Sequence, residues 1–243
     1  MSSAAVYVGR VDWRLLSWNL FHGRAVPPAG RELLPEFTAK LAGWEWDAAL
    51  LQEVPPWWPG ALGTALDADH RMVLTSRNSL LPLRRAIAQR RPDLIKSNGG
   101  GSNAILVRRS AGWIAEHRGL RLGLRPERRW VHGVRVAPTA AGDGRSSGLW
   151  ICNLHTQADP SQCEFAAMTV RSWTASLPIV LGGDFNLRSL ALDGFDHAGG
   201  HGVDHVFVRG LEVVRSVAPL DHDGLSDHPP LVATVRRAAP AAP

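Results

Sequence analysis

Apolar runs in this chain end, one after another, on side chains that cannot be buried alone. VDWRLLSWNL stops at Asn19, DAALLQEV at Glu53, GLWICNLHT at His155, and IVLGGDFN at Asp184 and Asn186. VDHVFV opens on Asp204, and PLVATVRR is preceded by Asp227 and His228. Short runs rich in leucine, isoleucine and valine read as strands, and an unbroken apolar run such as Ile179–Leu181 reads as one buried on both faces. A carboxylate beyond such a strand is costly unless a cation or hydrogen-bond donors meet it. Taken singly, each residue has an ordinary role, since Asn and Asp favour turns and a lone His is usually structural. If the strand ends converge, however, they gather three aspartates, one glutamate, two histidines and two asparagines. Such a set cannot be packed ionised without a cation, and its hard oxygen donors suit Mg²⁺, with Mn²⁺ as a substitute, better than zinc.

Between the strands, RELLPEFTAKLAGW has helical spacing, and SQCEFAAMTVRSWTASL reads as a helix capped by Ser161. SNAILVRR and RRWVHGVRVAP are further strands. Many strands with a few helices predict an α+β or layered α/β architecture. No low-complexity linker or short-period repeat divides the 243 residues, so a single domain over 1–243 is expected, with its core at about 11–236 and short frayed ends. No segment approaches the roughly 20 apolar residues of a membrane span, and the start MSSAAVYVGR lacks a secretory pattern. A cytoplasmic monomer is the expectation. Cys152 and Cys163 have no CxxC spacing and read as a reduced pair, Cys152 within a strand. The net charge of +5 is carried by arginine, Lys40 and Lys96 being the only lysines. Arginine clamps phosphate, so a polyanionic or phosphorylated partner fits, although coding bias produces the same composition.

SWNL, LQEV, CNLHT, GGDFN, VDHVFV and LSDHPPLVATV occur in an order and spacing that resembles the endonuclease/exonuclease/phosphatase superfamily, from about Trp13 to Val235. The resemblance implies a four-layered α/β/β/α sandwich of two mixed sheets, with its site at one end. It also implies Mg²⁺-dependent hydrolysis of a phosphoester by in-line attack of water. Carried over by residue, it makes Glu53 the principal metal ligand, with Asn19 and Asp227 close to the metal. Asp184 orients or deprotonates the water, and Asn186 holds neighbouring groups and a phosphate oxygen. His228, oriented by Asp204, lies against the phosphate, and His155 lies near the leaving or a non-bridging oxygen. Which histidine is the acid stays open. Phe21 stands where abasic-site endonucleases carry an acidic residue, and no carboxylate partner of the second histidine is identified.

Arg128 and Arg129 are candidates for a substrate phosphate contact. LPLRRAIAQRRPDL reads as a helix ending before Pro92, either a phosphate-tracking face or simply a solvated one. Trp57 and Trp58 either line a pocket or cover the sandwich, and cover is preferred. NGGGSN lacks the lysine and serine or threonine of a P-loop and reads as a turn. His197, His201 and His205 lie in a glycine-containing stretch unsuited to a helical zinc site. His22 is expected near the site rim. The leading reading is a nuclease on DNA or RNA. The alternatives are a phosphoesterase of a small or lipid-linked substrate and a non-catalytic binding module.

Overall fold

The computed structural model describes residues 12–75, 78–95, 101–125, 127–138, 148–174 and 176–237. These residues build two six-stranded sheets. The first has the order β11-β12-β1-β2-β4-β3, comprising β1 (Asp12–Asn19), β2 (Ala48–Val54), β3 (Ala68–Leu74), β4 (Ser102–Arg108), β11 (Leu211–Pro219) and β12 (Leu231–Arg237). The second has the order β5-β6-β7-β8-β10-β9. It comprises β5 (Gly112–Gly123), β6 (Arg129–Pro138), β7 (Leu149–His155), β8 (Ile179–Asp184), β9 (Asp196–His201) and β10 (Asp204–Arg209). Helices α1 (Leu34–Gly43) and α2 (Trp58–Ala65) cover the outer face of the first sheet, and α5 (Pro160–Ser172) covers that of the second. This is the expected four-layered sandwich. Helices α3 (Leu81–Arg90) and α4 (Pro92–Ile95) belong to the β3–β4 connection and to neither layer. The first half of the glycine-rich NGGGSN stretch and the tail beyond residue 237 lie outside the described residues. No helix among the described residues is long and apolar enough to cross a membrane.

Alternation along the central strands divides three apolar layers. Trp13, Leu15, Leu50, Ile105, Val134, Ile151, Val180 and Val206 meet between the sheets. Leu16, Trp18, Leu51 and Leu106 face α1 and α2, while Trp150, Cys152, Leu154, Leu181 and Phe207 face α5. Both cysteines are free and buried. Trp58 packs on Phe37 at 5.3 Å, and the indole N–H groups of Trp57 and Trp58 both reach Glu32 Oε1 at 3.3 Å, an arrangement that makes the pair part of the cover. Helix α5 departs from the expected cap. It begins at Pro160, and the Asp159 side chain accepts from Ser161 N at 2.9 Å, because proline at the first helical position needs no hydrogen-bond acceptor and places the cap two residues upstream of Ser161.

Each sheet contains one parallel pair, β1 with β2 and β7 with β8, and the strands beside these pairs are antiparallel. The C-terminal end of the β7–β8 pair therefore coincides with the starts of β6 and β10. Asp204 is registered on Asp184 and Trp130 on His155. One step below these ends, the layer between the sheets turns polar. Gln52 Nε2 donates across the sandwich to Asn153 Oδ1 at 2.8 Å, and Asn153 Nδ2 donates to Leu51 O and Ala104 O, both at 2.9 Å. The clamp ties the strand carrying Glu53 to the strand carrying His155.

His132 lies beside Asn153 in register and is wholly buried; its Nδ1 is 3.3 Å from His117 Nε2. Burial, reinforced by the charge of His117, pushes its pKa down to about 3. Below the unfolded value of about 6.5, an unfolded chain takes up a proton that the folded chain refuses until about pH 3, so stability is lost as pH falls through that window. His132→Leu is expected to flatten the fall of Tm between these limits, as read from melting curves against pH. An unchanged slope would remove His132 from the acid response.

Candidate active site

The two glycines of IVLGGDFN are required by close approach. A Cβ on Gly182 would lie 2.8 Å from Leu50 Cδ1 of the facing sheet. Gly183 has φ +141°, and a Cβ there would lie 2.0 Å from Leu154 O on the neighbouring strand. β8 can therefore run tightly along β7 to its end, delivering Asp184 beside His155. Asp184 is buried; its Oδ2 accepts from Asn19 Nδ2 at 3.0 Å and its Oδ1 from Asn186 N at 2.9 Å. Asn186, with φ +53°, turns back so that its Nδ2 donates to Thr156 O at 2.9 Å. Asn19 belongs to the first sheet and Asp184 to the second, so this bond joins the sheets at the site.

Glu53 reaches the same end through a break in its strand. The β2–β4 register shifts between Leu51 and Val54, and Glu53 itself has φ +51°. Holding a glutamate in the left-handed region costs about 1–3 kcal/mol, strain of a kind concentrated at functional sites. Its Oε2 is 3.1 Å from His22 Nε2 and its Oε1 is 4.0 Å from His155 Nε2. His155 Nε2 is also 3.5 Å from Asp184 Oδ2, so two carboxylates flank the imidazole whose partner the sequence leaves unnamed. On the far side, His228 Nδ1 meets Asp204 Oδ2 at 2.7 Å, and Asp227 Oδ1 is 3.9 Å from His228 Nε2. Donor atoms of Asp184, Asp204 and His228 all lie within 4.8 Å of one another.

Burial raises the carboxyl pKa values here. Glu53 is pushed up to about 7 by burial and then by the charge of Asp184. Asp184 is raised by burial and by Asp204, and Asp204 by burial, which outweighs its bond to His228. His155 is held well below the usual histidine range by burial, aided by Arg129, His22 and His228. For His228, burial opposes the charged form, but the hydrogen bond and charge of Asp204, with Asp184 and Asp227, prevail and lift it to about 9. Asp204 Oδ1 is buried with no partner among the described residues. Crowded, oxygen-bearing acids with an orphaned carboxylate oxygen fit a divalent hard cation.

The residues expected from the sequence separate into three groups. Asn19, Glu53, His155, Asp184 and Asn186 form one connected set, and Asp204, Asp227 and His228 form a second beside it. Of the arginine pair, Arg129 is largely buried, 3.5 Å from Glu127, and its charge is felt at Glu53 and His155, whereas Arg128 is exposed. Ser226 and Thr156 went unread. Ser226 Oγ donates to Asn19 O at 2.6 Å and accepts from His228 N at 3.1 Å, while Thr156 N donates to Asp184 O at 3.0 Å. Their positions inside LSDH and NLHT are the only signal the sequence offers. His205 Nε2 bonds Leu187 O at 2.8 Å and its Nδ1 faces His197 Nε2 at 3.1 Å, a structural use of both rings.

A model of the endonuclease/exonuclease/phosphatase family matches residues 16–228. No curated protein matches the chain significantly. Among solved structures, an endonuclease/exonuclease/phosphatase from Beutenbergia cavernae is 18% identical with a TM-score of 0.69, covering 96% of this chain and 74% of that one. TDP2 of D. rerio, complexed with a single-strand DNA product, is 15% identical with a TM-score of 0.65, covering 92% and 98%. A mannosyl-6-phosphatase of Bacteroides thetaiotaomicron is 15% identical with a TM-score of 0.63, covering 92% and 99%. At these identities the three establish a common fold.

Proposed function

The chain belongs to the endonuclease/exonuclease/phosphatase family and is a phosphoric ester hydrolase, and from that premise we propose that it is a Mg²⁺-dependent phosphodiesterase acting on nucleic acid. The observation that carries the reading is the meeting of Asp184, Asp204 and His228 within 4.8 Å, beside Glu53 and His155. Asp184, fixed by Asn19 and Asn186, is the group to orient an attacking water and take its proton. With Nδ1–H donated to Asp204, His228 turns Nε2 toward the site, where the imidazolium donates to a phosphate oxygen as charge builds. His155 stays neutral, and its Nε2, which faces Glu53 and Asp184, carries the N–H that would be donated to an ester oxygen. Glu53, Asn19 and Asp227 would hold the cation, which when bound supplies Lewis-acid stabilisation of the phosphate. Arg129 supplies positive charge on the substrate side, and a fold neighbour bound to a single-strand DNA product supports a polynucleotide substrate.

The test is hydrolysis of plasmid DNA, single-stranded RNA, an abasic-site duplex, bis-p-nitrophenyl phosphate, sphingomyelin and an inositol phosphate in Mg²⁺, Mn²⁺ or EDTA. Cleavage of nucleic acid with either metal and none in EDTA is expected. Glu53→Gln is expected to raise the Mg²⁺ needed for half-maximal rate by about tenfold or more. Activity confined to the lipid or inositol substrate would replace the nuclease reading, and an unchanged metal requirement would remove Glu53 as a ligand.

A further inference from the structure

Two segments leave neighbouring edge strands at the site end of the sandwich. Edge strands β3 and β5 lie against each other where a Cβ on Gly119 would be 3.5 Å from Val73 Cγ1, and both run toward that end. Beyond β3 comes the α3–α4 connection. Its root is set beside the site: Thr75 N donates to Gly101 O at 3.0 Å, and a Cβ on Gly101 would lie 3.6 Å from His22 Cε1, the ring that meets Glu53. Its far end is pinned by Asp93 Oδ2, which accepts from Gly30 N at 2.9 Å. Beyond β5 comes the turn into β6 and Arg129.

Both segments expose leucine among arginines. Leu80, Leu83 and Leu94 are 73%, 58% and 71% exposed, and Leu124 on the neighbouring tip is 60% exposed. Leu83 and Ile87 lie at helical spacing on α3, and Leu80 immediately precedes its first residue. Arg85, Arg90 and Arg91 accompany the first group, and Arg121, Arg125 and Arg128 the second; all six are exposed. The sole acid between Leu80 and Ile95 is Asp93, which is spent on its anchor. Tracking a nucleic-acid backbone is carried by cations and does not call for a cluster of exposed leucines. A face with both fits an anionic bilayer, where apolar side chains enter the acyl boundary and arginines pair with lipid phosphates.

We propose that the α3–α4 connection and the β5–β6 turn form a docking surface for anionic membranes, holding the mouth of the site against the headgroup layer. The surface depends on where the site lies and not on which phosphoester it cleaves, so it can fail without the hydrolase reading failing. Its test is co-sedimentation of the full chain with vesicles of phosphatidylcholine alone or mixed with phosphatidylglycerol, beside binding to a single-stranded oligonucleotide. Surface substitutions at these positions are expected to leave the fold intact. The expected result is binding to the mixed vesicles and not to phosphatidylcholine alone, with any binding of the oligonucleotide by the site unchanged in the leucine variant. Vesicle binding should weaken about tenfold or more in Leu80→Ser/Leu83→Ser/Leu124→Ser, and likewise in Arg85→Gln/Arg90→Gln/Arg91→Gln or at high salt, with hydrolysis of bis-p-nitrophenyl phosphate unchanged. Vesicle binding indifferent to the leucines would overturn the proposal. So would oligonucleotide binding lost only in the arginine variant without vesicle binding, which would make the face a nucleic-acid track, and so would binding of neither.

Discussion

Asp184→Asn is expected to lower turnover of bis-p-nitrophenyl phosphate by roughly a thousandfold while the protein stays folded, a loss of about 4 kcal/mol in transition-state stabilisation. Asparagine keeps the shape of the side chain and one acceptor oxygen for the bonds from Asn19 Nδ2 and Asn186 N, but it has no lone pair basic enough to take a proton from water. The other donor loses its acceptor, which costs about 1–3 kcal/mol. Against that stands the relief of burying a carboxylate beside Asp204, the two causes that raise the Asp184 pKa. Tm in EDTA should therefore stay near the parent value or rise. A parent-like rate would end the assignment of Asp184 to the water. A large fall in Tm would show that its hydrogen bonds outweigh the charge relief.

The sequence marks the strands at the heart of each sheet and is silent about their borders, for a physical reason. β1, β2, β4 and β12 in one sheet, and β6, β7, β8 and β10 in the other, are flanked on both sides, so runs such as AALLQEV and LWICNLH are apolar on both faces. The four edges, β3, β5, β9 and β11, read ADHRMVL, GWIAEHRGLRLG, DHAGGH and LEVVRSVAP, half-exposed and interspersed with charge and glycine. No apolar pattern sets them apart from loops. The polar strand ends were legible because an uncompensated carboxylate after a buried run is anomalous wherever it lies. The left-handed turn at Glu53, the flanking of His155 by Glu53 and Asp184, and the bridging by Ser226 all depend on which strands become neighbours. Separation of the arginine pair has the same origin: Arg129 opens β6 beside the site, and Arg128, one residue earlier, is left on the exposed lip.

His228 and Asp204 provide the second large effect and a check on how the site is wired. His228→Gln removes the cationic donor, and turnover is expected to fall by roughly a thousandfold. Asp204→Asn keeps the imidazole but withdraws the carboxylate that accepts from Nδ1 at 2.7 Å and fixes which nitrogen faces the site, so a loss of roughly a hundredfold is expected. Because Asp204 acts through the ring, the double variant should be no slower than His228→Gln alone. Independent roles would instead multiply the two losses, to roughly a hundred-thousandfold, and would place Asp204 in contact with the cation or water in its own right. The second outcome is chemically open to Asp204, whose Oδ1 is buried without a partner among the described residues and which belongs to the cluster shared with Asp184. The cycle, measured on a soluble diester at saturating Mg²⁺, thus decides whether the buried carboxylate serves the histidine alone or belongs to the metal side of the site as well.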